Sequence, residues 1–373
     1  MNIEEHIKKE IFNTFNIYLD NAKSTITDVI KKLQGKRDLS ENDVIIAMSS
    51  LMSLEISQDD IAAYLTALHE KGETIEEIAT SARVMRIFAS KVYTRENKKE
   101  FEQLDLLDCC GTGGGINVFN ISTAVALIVA AGGVSVAKHG NRAITSRSGS
   151  ADVLEALGVK IDIPQSKVGE CILKVGIGFL FAPLFHKATK NVQQVRRTLL
   201  HKTIFNILGP LTNPTEPSYQ VIGVYHADLT ERFAHVLKLL GLKRACVVHG
   251  FTPCGGGMDE ISTLGQTKVS ELMQNGDIKN YFFRPQEIGI PDTTRETLQG
   301  GDAHDNASLI RNILSGDAKG AQEEIVVLNT AFAFMVCGRV KHIKDGIKLS
   351  RDLIANGACR DTLEKLITFT NNG

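Results

Sequence analysis

The chain has 373 residues, and its 42 Lys and Arg residues against 43 Asp and Glu residues leave a net charge of −1. Hydrophobic residues make up 43% and charged residues 23%, which excludes general disorder because this apolar mass is enough for a core. The balanced charge argues against a dedicated nucleic-acid binder, which carries a basic excess. The length predicts two domains, or one large α/β body with an appendage.

The beginning of the chain predicts no targeting segment. Residues 1–20 have neither the apolar core of a signal peptide nor the acid-poor composition of a transit peptide. The longest apolar stretch, residues 123–137, is interrupted by glycines and is too short to cross a bilayer. The seven cysteines are scattered without metal-ligand spacing, so we expect reduced thiols in a cytoplasmic protein that does not bind membranes.

Residues 1–98 predict helices only. Apolar residues recur at spacings of three and four in segments 61–68 and 75–88. Ser40 and Ser57 are each followed by acidic residues, a pattern that is typical of a capping box at a helix start. The polar segment 94–103 is predicted to be a linker.

From residue 104 onward, predicted strands and helices alternate. The predicted strands are 104–108, 134–137, 178–182, 219–224 and 245–248, and the predicted helices are 122–131, 150–157, 229–240 and several within 302–368. We expect Ser150 or Asp152 to cap the helix over 150–157. The alternation predicts a largely parallel sheet covered by helices on both faces.

A glycine-rich loop follows the first predicted strand. Residues 110–115 read Cys-Gly-Thr-Gly-Gly-Gly, and Asn120, Ser122 and Thr123 follow near the next helix start. Glycines let backbone amides approach an anion and a helix N-terminus adds positive potential, so the loop predicts a phosphate or pyrophosphate site. The alternative is a tight turn, because the spacing fits neither the P-loop nor the dinucleotide-binding fingerprint.

Two charged groups also lie near predicted strand ends, where open α/β sheets bind ligands. Residues 138–142 read Lys-His-Gly-Asn-Arg and offer two cations for phosphates or a carboxylate. Asp259 and Glu260 offer two carboxylates for Mg²⁺. Each group has an ordinary alternative, a surface turn or an exposed acidic pair. Together with the glycine loop, they favour Mg²⁺-pyrophosphate chemistry.

An arginine pair precedes a rigid segment. Arg196 and Arg197 lie in a predicted helix that begins near residue 187, and the Gly-Pro and Asn-Pro steps of segment 203–214 mark sharp turns. An arginine beside such a turn can receive a planar carboxylate through two parallel hydrogen bonds. The alternative is that both arginines lie on the helix surface.

These motifs, in this order, resemble those of the anthranilate phosphoribosyltransferase family. The matching segments are GTGG at 111–114, FNIST at 119–123, KHGNR at 138–142, SGSAD at 148–152, TIFNILGPLTNP at 203–214, MDE at 258–260 and GGDA at 300–303. The resemblance covers roughly residues 30–370.

The resemblance implies an α/β protein with a nucleoside phosphorylase/phosphoribosyltransferase-like fold. A small N-terminal α-helical domain, residues 26–98 joined by a helical segment near 187–203, would be hinged to a large α/β domain with a mainly parallel central sheet, residues 104–373. Residues 1–25 would be an N-terminal extension. The active site would lie between the domains, and a homodimer would form through the helical domain.

The resemblance also implies transfer of the phosphoribosyl group of 5-phosphoribosyl-1-pyrophosphate to the amine of anthranilate, a step of tryptophan synthesis, with Mg²⁺ as cofactor. The implied donor-binding residues are Gly111, Gly113, Gly114, Asn120, Ser122, Thr123, Lys138 and Ser150; the implied Mg²⁺ ligands are Ser122, Asp259 and Glu260; the implied acceptor-binding residues are His139, Asn141, His186, Arg196 and Gly209. Catalysis would depend on positioning and electrostatics, with Lys138 and Arg196 most critical and Arg196 meeting the anthranilate carboxylate.

The chain departs from the family pattern at several places. The family's loop usually reads GTGGDG, whereas here the aspartate is absent and the loop is one residue shorter; segment 200–202 and loop 250–257 also differ. These departures leave open another aromatic acceptor, such as a hydroxybenzoate or aminobenzoate isomer in secondary metabolism. A non-catalytic paralogue that binds nucleic acid or a partner protein is disfavoured by the retained Lys138 and Arg196, and a nucleoside phosphorylase by segment 203–214.

Overall fold

A computed structural model describes Lys9 and residues 24–53, 56–143, 147–253 and 255–372. The chain divides into two compact units. The helical unit comprises Met1–Ser90 and Phe185–Glu216, and the α/β unit comprises Lys91–Leu184 and Pro217–Gly373. The expected N-terminal extension, residues 1–25, lies outside the described residues apart from Lys9, Ser24 and Thr25.

The helices alternate with strands from residue 107 onward. In chain order, the helices of the described residues are α1 Ile26–Gln34, α2 Glu41–Met52, α3 Gln58–Lys71, α4 Ile75–Phe88, α5 Lys98–Phe101, α6 Ile121–Ala131, α7 Ser150–Ala156, α8 Gln165–Val175, α9 Ala182–Phe185, α10 Lys190–Arg196, α11 Phe205–Leu208, α12 Leu229–Leu239, α13 Arg295–Leu298, α14 Ala303–Leu314, α15 Ala321–Val336, α16 Ile343–Ala355 and α17 Ala358–Asn371. In the part of the chain that the structure describes, no helix is both long and apolar enough to span a bilayer.

The α/β unit is built on one sheet. Its strands are β1 Leu107–Gly111, β2 Val136–Gly140, β3 Ile177–Phe181, β4 Tyr219–Gly223, β5 Arg244–Phe251, β6 Gly257–Met258, β7 Thr267–Leu272 and β8 Ile278–Phe283. The sheet order is β3-β2-β1-β4-β5-β7-β8, with β6 paired to β5. The first five strands in this order pair in parallel, whereas β6, β7 and β8 pair antiparallel. The predicted fold class, helices before a mainly parallel sheet, is confirmed.

The structure corrects several predicted boundaries. The strands predicted at 104–108 and 134–137 begin later, at Leu107 and Val136, and each extends three residues further. Residues 138–140 therefore belong to β2 and do not follow it, as the sequence analysis expected. The predicted linker over 94–103 contains the short helix α5. Strands β6, β7 and β8 were not predicted.

Helix α6 fixes the direction of the chain after the glycine loop. Its residues are buried except Ser122 and Ala131, and it packs against β1, α15 and α17. A helix that is apolar on every side is held in the interior by burial of its whole surface. The N-terminal end of α6, with Ser122, is therefore held near the end of β1.

Side-chain caps and a buried ion pair organise the helical unit. The predicted caps are confirmed: the hydroxyls of Ser40 and Ser57 accept hydrogen bonds from the third helical amide of α2 and α3. Glu77 is buried, and its carboxylate accepts hydrogen bonds from the amides of Leu39 and Thr74 and lies 3.0 Å from the Lys71 ammonium. One carboxylate thus joins α3, α4 and the segment before α2.

Replacing Glu77 by alanine removes this shared partner. We expect Glu77→Ala to lower the free energy of unfolding by about 1–3 kcal/mol for each of the two amides that it leaves without an acceptor. The Lys71 ammonium keeps Asp38 and the Gly72 carbonyl as partners, each within 2.8 Å. Urea denaturation followed by circular dichroism measures the change. The exposed neighbour Glu76 is the control, and Glu76→Ala should cost less than about 1 kcal/mol. Equal stability of the two variants would contradict this account of Glu77.

Candidate active site

Thr112 ties the glycine loop to two neighbouring segments. Its amide donates to the carbonyl of Gly223, the last residue of β4, over 2.9 Å. Its hydroxyl accepts from the Tyr225 amide at 3.0 Å and donates to Asp259 Oδ2 at 3.1 Å. Thr112 was not among the predicted site residues, although it stands within the glycine motif. The hydroxyl places the Asp259 carboxylate beside the glycine loop.

The turn of the glycine loop requires glycine. Gly113 and Gly114 have φ angles of +70° and +111°, a region that L-residues rarely adopt. A Cβ at Gly115 would lie 2.9 Å from the Gly257 carbonyl oxygen and 3.0 Å from Asp259 Oδ1. The shortened loop thus packs closely against residues 257–259, with a hydrogen bond of 2.8 Å from the Ile116 amide to Gly257. Its backbone stands next to the predicted metal ligands.

Lys138 is a buried cation at the end of the sheet. It is 2% exposed, and its ammonium donates to the Cys109 carbonyl at 2.7 Å and to Ser122 Oγ at 3.2 Å. Within the described residues, no carboxylate oxygen lies within 4.0 Å of it. The structure therefore joins Lys138 to Ser122, both predicted donor-binding residues, with neutral hydrogen-bond acceptors on the lysine.

Asp259 and Glu260 are partly buried, so the alternative of a fully exposed acidic pair is wrong. Burial raises the pKa of Glu260 to about 8, and the neighbouring Asp259 adds to the shift, while Lys138 opposes it. Carboxylate and hydroxyl oxygens are the hard donors that Mg²⁺ prefers, so the residue types at 122, 259 and 260 fit this ion.

Asn120 joins the start of α6 to two other segments. Its Nδ2 donates to the Ser148 carbonyl at 3.1 Å, and its Oδ1 accepts from Asn306 Nδ2 at 2.9 Å. Asn306 also accepts from the Gly301 amide at 2.9 Å. Sequence reasoning missed Asn306, although it stands close after the GGDA motif. The structure thus brings the motifs at 119–123, 148–152 and 300–303 together.

The remaining predicted donor residues have different surroundings. Ser150 is the first residue of α7, and its hydroxyl donates to the Asn141 carbonyl at 3.4 Å. The N-cap of this helix is Gly149 and not, as the sequence predicted, Ser150 or Asp152. Asp152 is the third residue of the helix, and its carboxylate accepts a hydrogen bond from the Gly149 amide. Thr123 is buried within α6 and only 1% exposed.

The basic segment 138–142 does not supply two cations for a ligand. Arg142 donates to Asp152 at 3.0 Å and to Glu155 at 2.9 Å, so two carboxylates neutralise its charge. Asn141 is exposed, and its Oδ1 accepts from the Arg142 amide. His139 is buried, and its amide donates to the buried Asp108 at 3.2 Å.

The helical unit holds the other predicted acceptor residues. Arg196 ends α10, and burial lowers its pKa, although an arginine stays protonated in proteins. Its Nη2 donates to Asn206 Oδ1 at 3.3 Å, and its guanidinium lies 5.5 Å from the centre of the Phe205 ring. Within the described residues, no carboxylate oxygen lies within 4.0 Å of it. Arg196 is therefore not simply a surface arginine, whereas Arg197 is exposed.

His186 and Gly209 complete this group. Burial lowers the pKa of His186 to about 4, against a weaker opposing hydrogen bond with the Thr212 backbone, so its ring is neutral at pH 7. No atom lies within 4 Å of the position of a Cβ at Gly209, so this backbone faces open space. A neutral ring and an open glycine suit contact with a flat, largely apolar ligand.

Comparisons with known proteins agree with this geometry. Residues 103–360 match the α/β domain of a glycosyl transferase family, and residues 27–89 match the helical bundle domain of the same name. The fold and its glycine-rich, cation-bearing strand ends thus define a glycosyl transferase.

Individual relatives identify the family within the glycosyl transferases more closely. The anthranilate phosphoribosyltransferase of Acetivibrio thermocellus is 48% identical over 92% of this chain and 96% of that protein, and the enzyme of Geotalea uraniireducens is 44% identical over 93% and 99%. The crystal structure of the Thermus thermophilus enzyme has a TM-score of 0.83 at 40% identity, covering 92% of this chain and 99% of that one. The Saccharomyces cerevisiae enzyme in complex with PRPP and Mg has a TM-score of 0.80 at 26% identity, covering 94% and 99%. The chain belongs to the anthranilate phosphoribosyltransferase family.

Gly223 permits the close approach of Asp259. A Cβ at residue 223 would lie 1.5 Å from the Asp259 carbonyl oxygen, so one of the two backbones would have to move. We expect Gly223→Ala to cost about 3 kcal/mol of unfolding free energy, the upper range for overpacking. The control is Gly35→Ala, where the nearest atom lies at 3.4 Å. Calorimetric melts compare the two, and an unaffected Gly223→Ala melt would contradict the close packing.

Proposed function

We propose that the chain transfers the 5-phosphoribosyl group of 5-phosphoribosyl-1-pyrophosphate to the amine of anthranilate and releases pyrophosphate. The observation that carries the proposal is a pair of cations, Lys138 in the α/β unit and Arg196 in the helical unit. Lys138 is buried and Arg196 is partly buried, and neither has a carboxylate oxygen within 4.0 Å in the described part of the chain. Charges in such surroundings are ordinarily paired, so each is suited to an anionic ligand.

The two substrates supply anions of matching kinds. Phosphate oxygens suit a point charge such as the Lys138 ammonium, with the backbone amides of the glycine loop beside it. The planar carboxylate of anthranilate suits the guanidinium fork of Arg196. We therefore place the donor phosphates at residues 111–114 and Lys138, with Asn120, Ser122, Thr123 and Ser150 nearby. We place the acceptor at Arg196, His186 and Gly209, with His139 and Asn141 as further contacts.

The chemistry requires positioning and charge neutralisation more than proton transfer. The bond from the ribose C1 carbon to the pyrophosphate oxygen breaks, and its electron pair leaves with pyrophosphate. A bond from C1 to the anthranilate nitrogen forms, and the nitrogen releases one proton to water. Lys138 and the loop amides hold the oxygens on which negative charge grows. The aromatic amine is already a neutral nucleophile at pH 7, and neutral His186 adds no charge beside it. Arg196 orients the amine through the carboxylate of the same molecule.

We propose Mg²⁺ as the cofactor, held by Ser122, Asp259 and Glu260. When bound, it neutralises charge on the diphosphate leaving group. Three features support this assignment: the adjacent carboxyl groups, the hydrogen bond between Thr112 and Asp259, and the PRPP and Mg found in the yeast relative. Lys138 donates a hydrogen bond to Ser122 Oγ, and this contact would orient the serine hydroxyl toward such a ligand role.

We further propose a cytoplasmic homodimer that binds small molecules and neither nucleic acid nor membranes. The described cysteines are free thiols, which suits a reducing compartment. The net charge of −1 gives no electrostatic basis for nucleic-acid binding. The homodimer, formed through the helical unit, is what the family resemblance implies.

The direct test is an assay with purified protein. Anthranilate fluorescence should fall when donor and Mg²⁺ are both added, with one pyrophosphate released for each anthranilate consumed. Hydroxybenzoates and other aminobenzoate isomers, tested in parallel, should react far more slowly. No turnover of anthranilate by folded protein, or faster turnover of another acid, would refute the proposal.

Arg196 and Arg197 form a matched pair for testing acceptor binding. Arg196→Ala should raise the anthranilate KM at least tenfold, because a charge-assisted contact is worth about 1.5–3 kcal/mol, while the donor KM changes less. Arg197→Ala should leave both constants unchanged, since Arg197 is exposed. Steady-state kinetics with each substrate varied in turn gives the four values. Equal loss for donor and acceptor in Arg196→Ala would mean that its role is different.

Asp259 can be tested through the metal requirement. Asp259→Ala should shift the Mg²⁺ concentration for half-maximal rate at least tenfold upward, because a carboxylate ligand is lost. The 86%-exposed Asp228 provides a control, and Asp228→Ala should titrate as wild type. Rates measured over a series of Mg²⁺ concentrations at saturating donor decide the matter. An unchanged titration would remove Asp259 from the ligand set.

A further inference from the structure

We propose that Asn206 is a positioning residue for Arg196: its neutral amide oxygen holds the guanidinium in place without neutralising the charge that the acceptor carboxylate needs. This inference rests on the proposed function, because it gives Arg196 the acceptor carboxylate as its ligand. Asn206 itself is assigned no contact with either substrate.

The amide oxygen of Asn206 has three donors. Asn206 Oδ1 accepts from the Thr203 amide at 2.9 Å, from Thr203 Oγ1 at 3.4 Å and from Arg196 Nη2 at 3.3 Å. The contacts with Thr203 form a side-chain turn at the start of α11, so they fix the orientation of the amide. The same oxygen then fixes one edge of the guanidinium.

Phe205 restrains the guanidinium from a second direction. Its ring centre lies 5.5 Å from Arg196 Cζ, within the range of a cation–π contact. Asn206 and Phe205 are adjacent in the segment 203–214, so one short stretch of chain holds Arg196 in two ways. A guanidinium has five N–H donors, and the contact with Asn206 uses one of them. Among the residues that the structure describes, no other acceptor is hydrogen-bonded to the guanidinium, so the other four N–H groups are available to a carboxylate.

The chemistry of this position favours an amide over a carboxylate. An aspartate at 206 would keep both contacts with Thr203, because its oxygens accept the same hydrogen bonds. It would, however, pair with Arg196 as an ion pair in partly buried surroundings and compete with the carboxylate of the acceptor. A residue that only stabilised the turn would tolerate this substitution. A residue that positions a charged arginine would not.

Three variants distinguish a residue that positions Arg196 from one that only stabilises the turn. Asn206→Ala leaves Arg196 charged but unrestrained, and we expect a three- to fivefold rise in the anthranilate KM. Asn206→Asp should raise the anthranilate KM more than tenfold, with the donor KM within twofold of wild type and an unchanged melting temperature. In an Arg196→Ala background, Asn206→Asp should have little further effect, because the arginine through which it acts is gone.

A matched control is present elsewhere in the chain. Asn97 Oδ1 accepts from the Thr94 amide at 2.7 Å and from Thr94 Oγ1 at 3.3 Å, the same turn without an arginine. Asn97→Asp should leave every kinetic constant at its wild-type value. This control separates the general effect of changing asparagine to aspartate in such a turn from the effect on Arg196.

Each other outcome overturns the inference. It is wrong if Asn206→Asp keeps the wild-type anthranilate KM, if Asn206→Ala is the worse variant, or if Asn206→Asp fails to fold. It is also wrong if Asn206→Asp raises the anthranilate KM equally in the Arg196→Ala background. Absence of anthranilate turnover in the wild-type protein is a distinct result, because it refutes the proposed function, and this role then falls with it.

Discussion

The burial of the Lys138 ammonium is the constraint on which the rest of the site depends. A charged amine inside a sheet is costly unless its protons are used, and here the Cys109 carbonyl and the Ser122 hydroxyl take two of them. These contacts draw β1, β2 and the first turn of α6 to one point. Among the described residues no carboxylate oxygen lies within 4.0 Å of this ammonium, so neutral hydrogen-bond acceptors hold the charge in place.

The helical unit also holds a cation by neutral groups, but here the cation is an arginine. Arg196 is partly buried and is restrained by the neutral groups of Asn206 and Phe205. A lysine suits clustered phosphate oxygens, whereas an arginine suits a planar carboxylate, so the two sites match two different anions. On our proposal, each unit provides one cation for one substrate. Keeping these cations without a carboxylate partner costs some free energy of folding.

Sequence patterns predicted most elements of the fold, because apolar periodicity and capping residues report local structure directly. They failed where long-range pairing decides: strands β7 and β8 depend on pairing with β5, and residues 138–140 are held in β2 by β3. The motifs identified the family, but they did not reveal partners distant in sequence. Arg142 binds Asp152 and Glu155, Thr112 contacts Asp259, and Asn306 contacts Asn120 only after folding. The loss of the loop aspartate was visible in the sequence, whereas the close packing of Gly115 against residues 257–259 was not.

The central claim is that Lys138 and Arg196 each bind the anionic group of one substrate. A crystal structure of the protein with 5-phosphoribosyl-1-pyrophosphate, Mg²⁺ and anthranilate tests it most directly. We expect a phosphate oxygen within hydrogen-bond distance of Lys138 Nζ and the anthranilate carboxylate on the guanidinium of Arg196. Both substrates bound at full occupancy with solvent alone at these two cations would contradict the account.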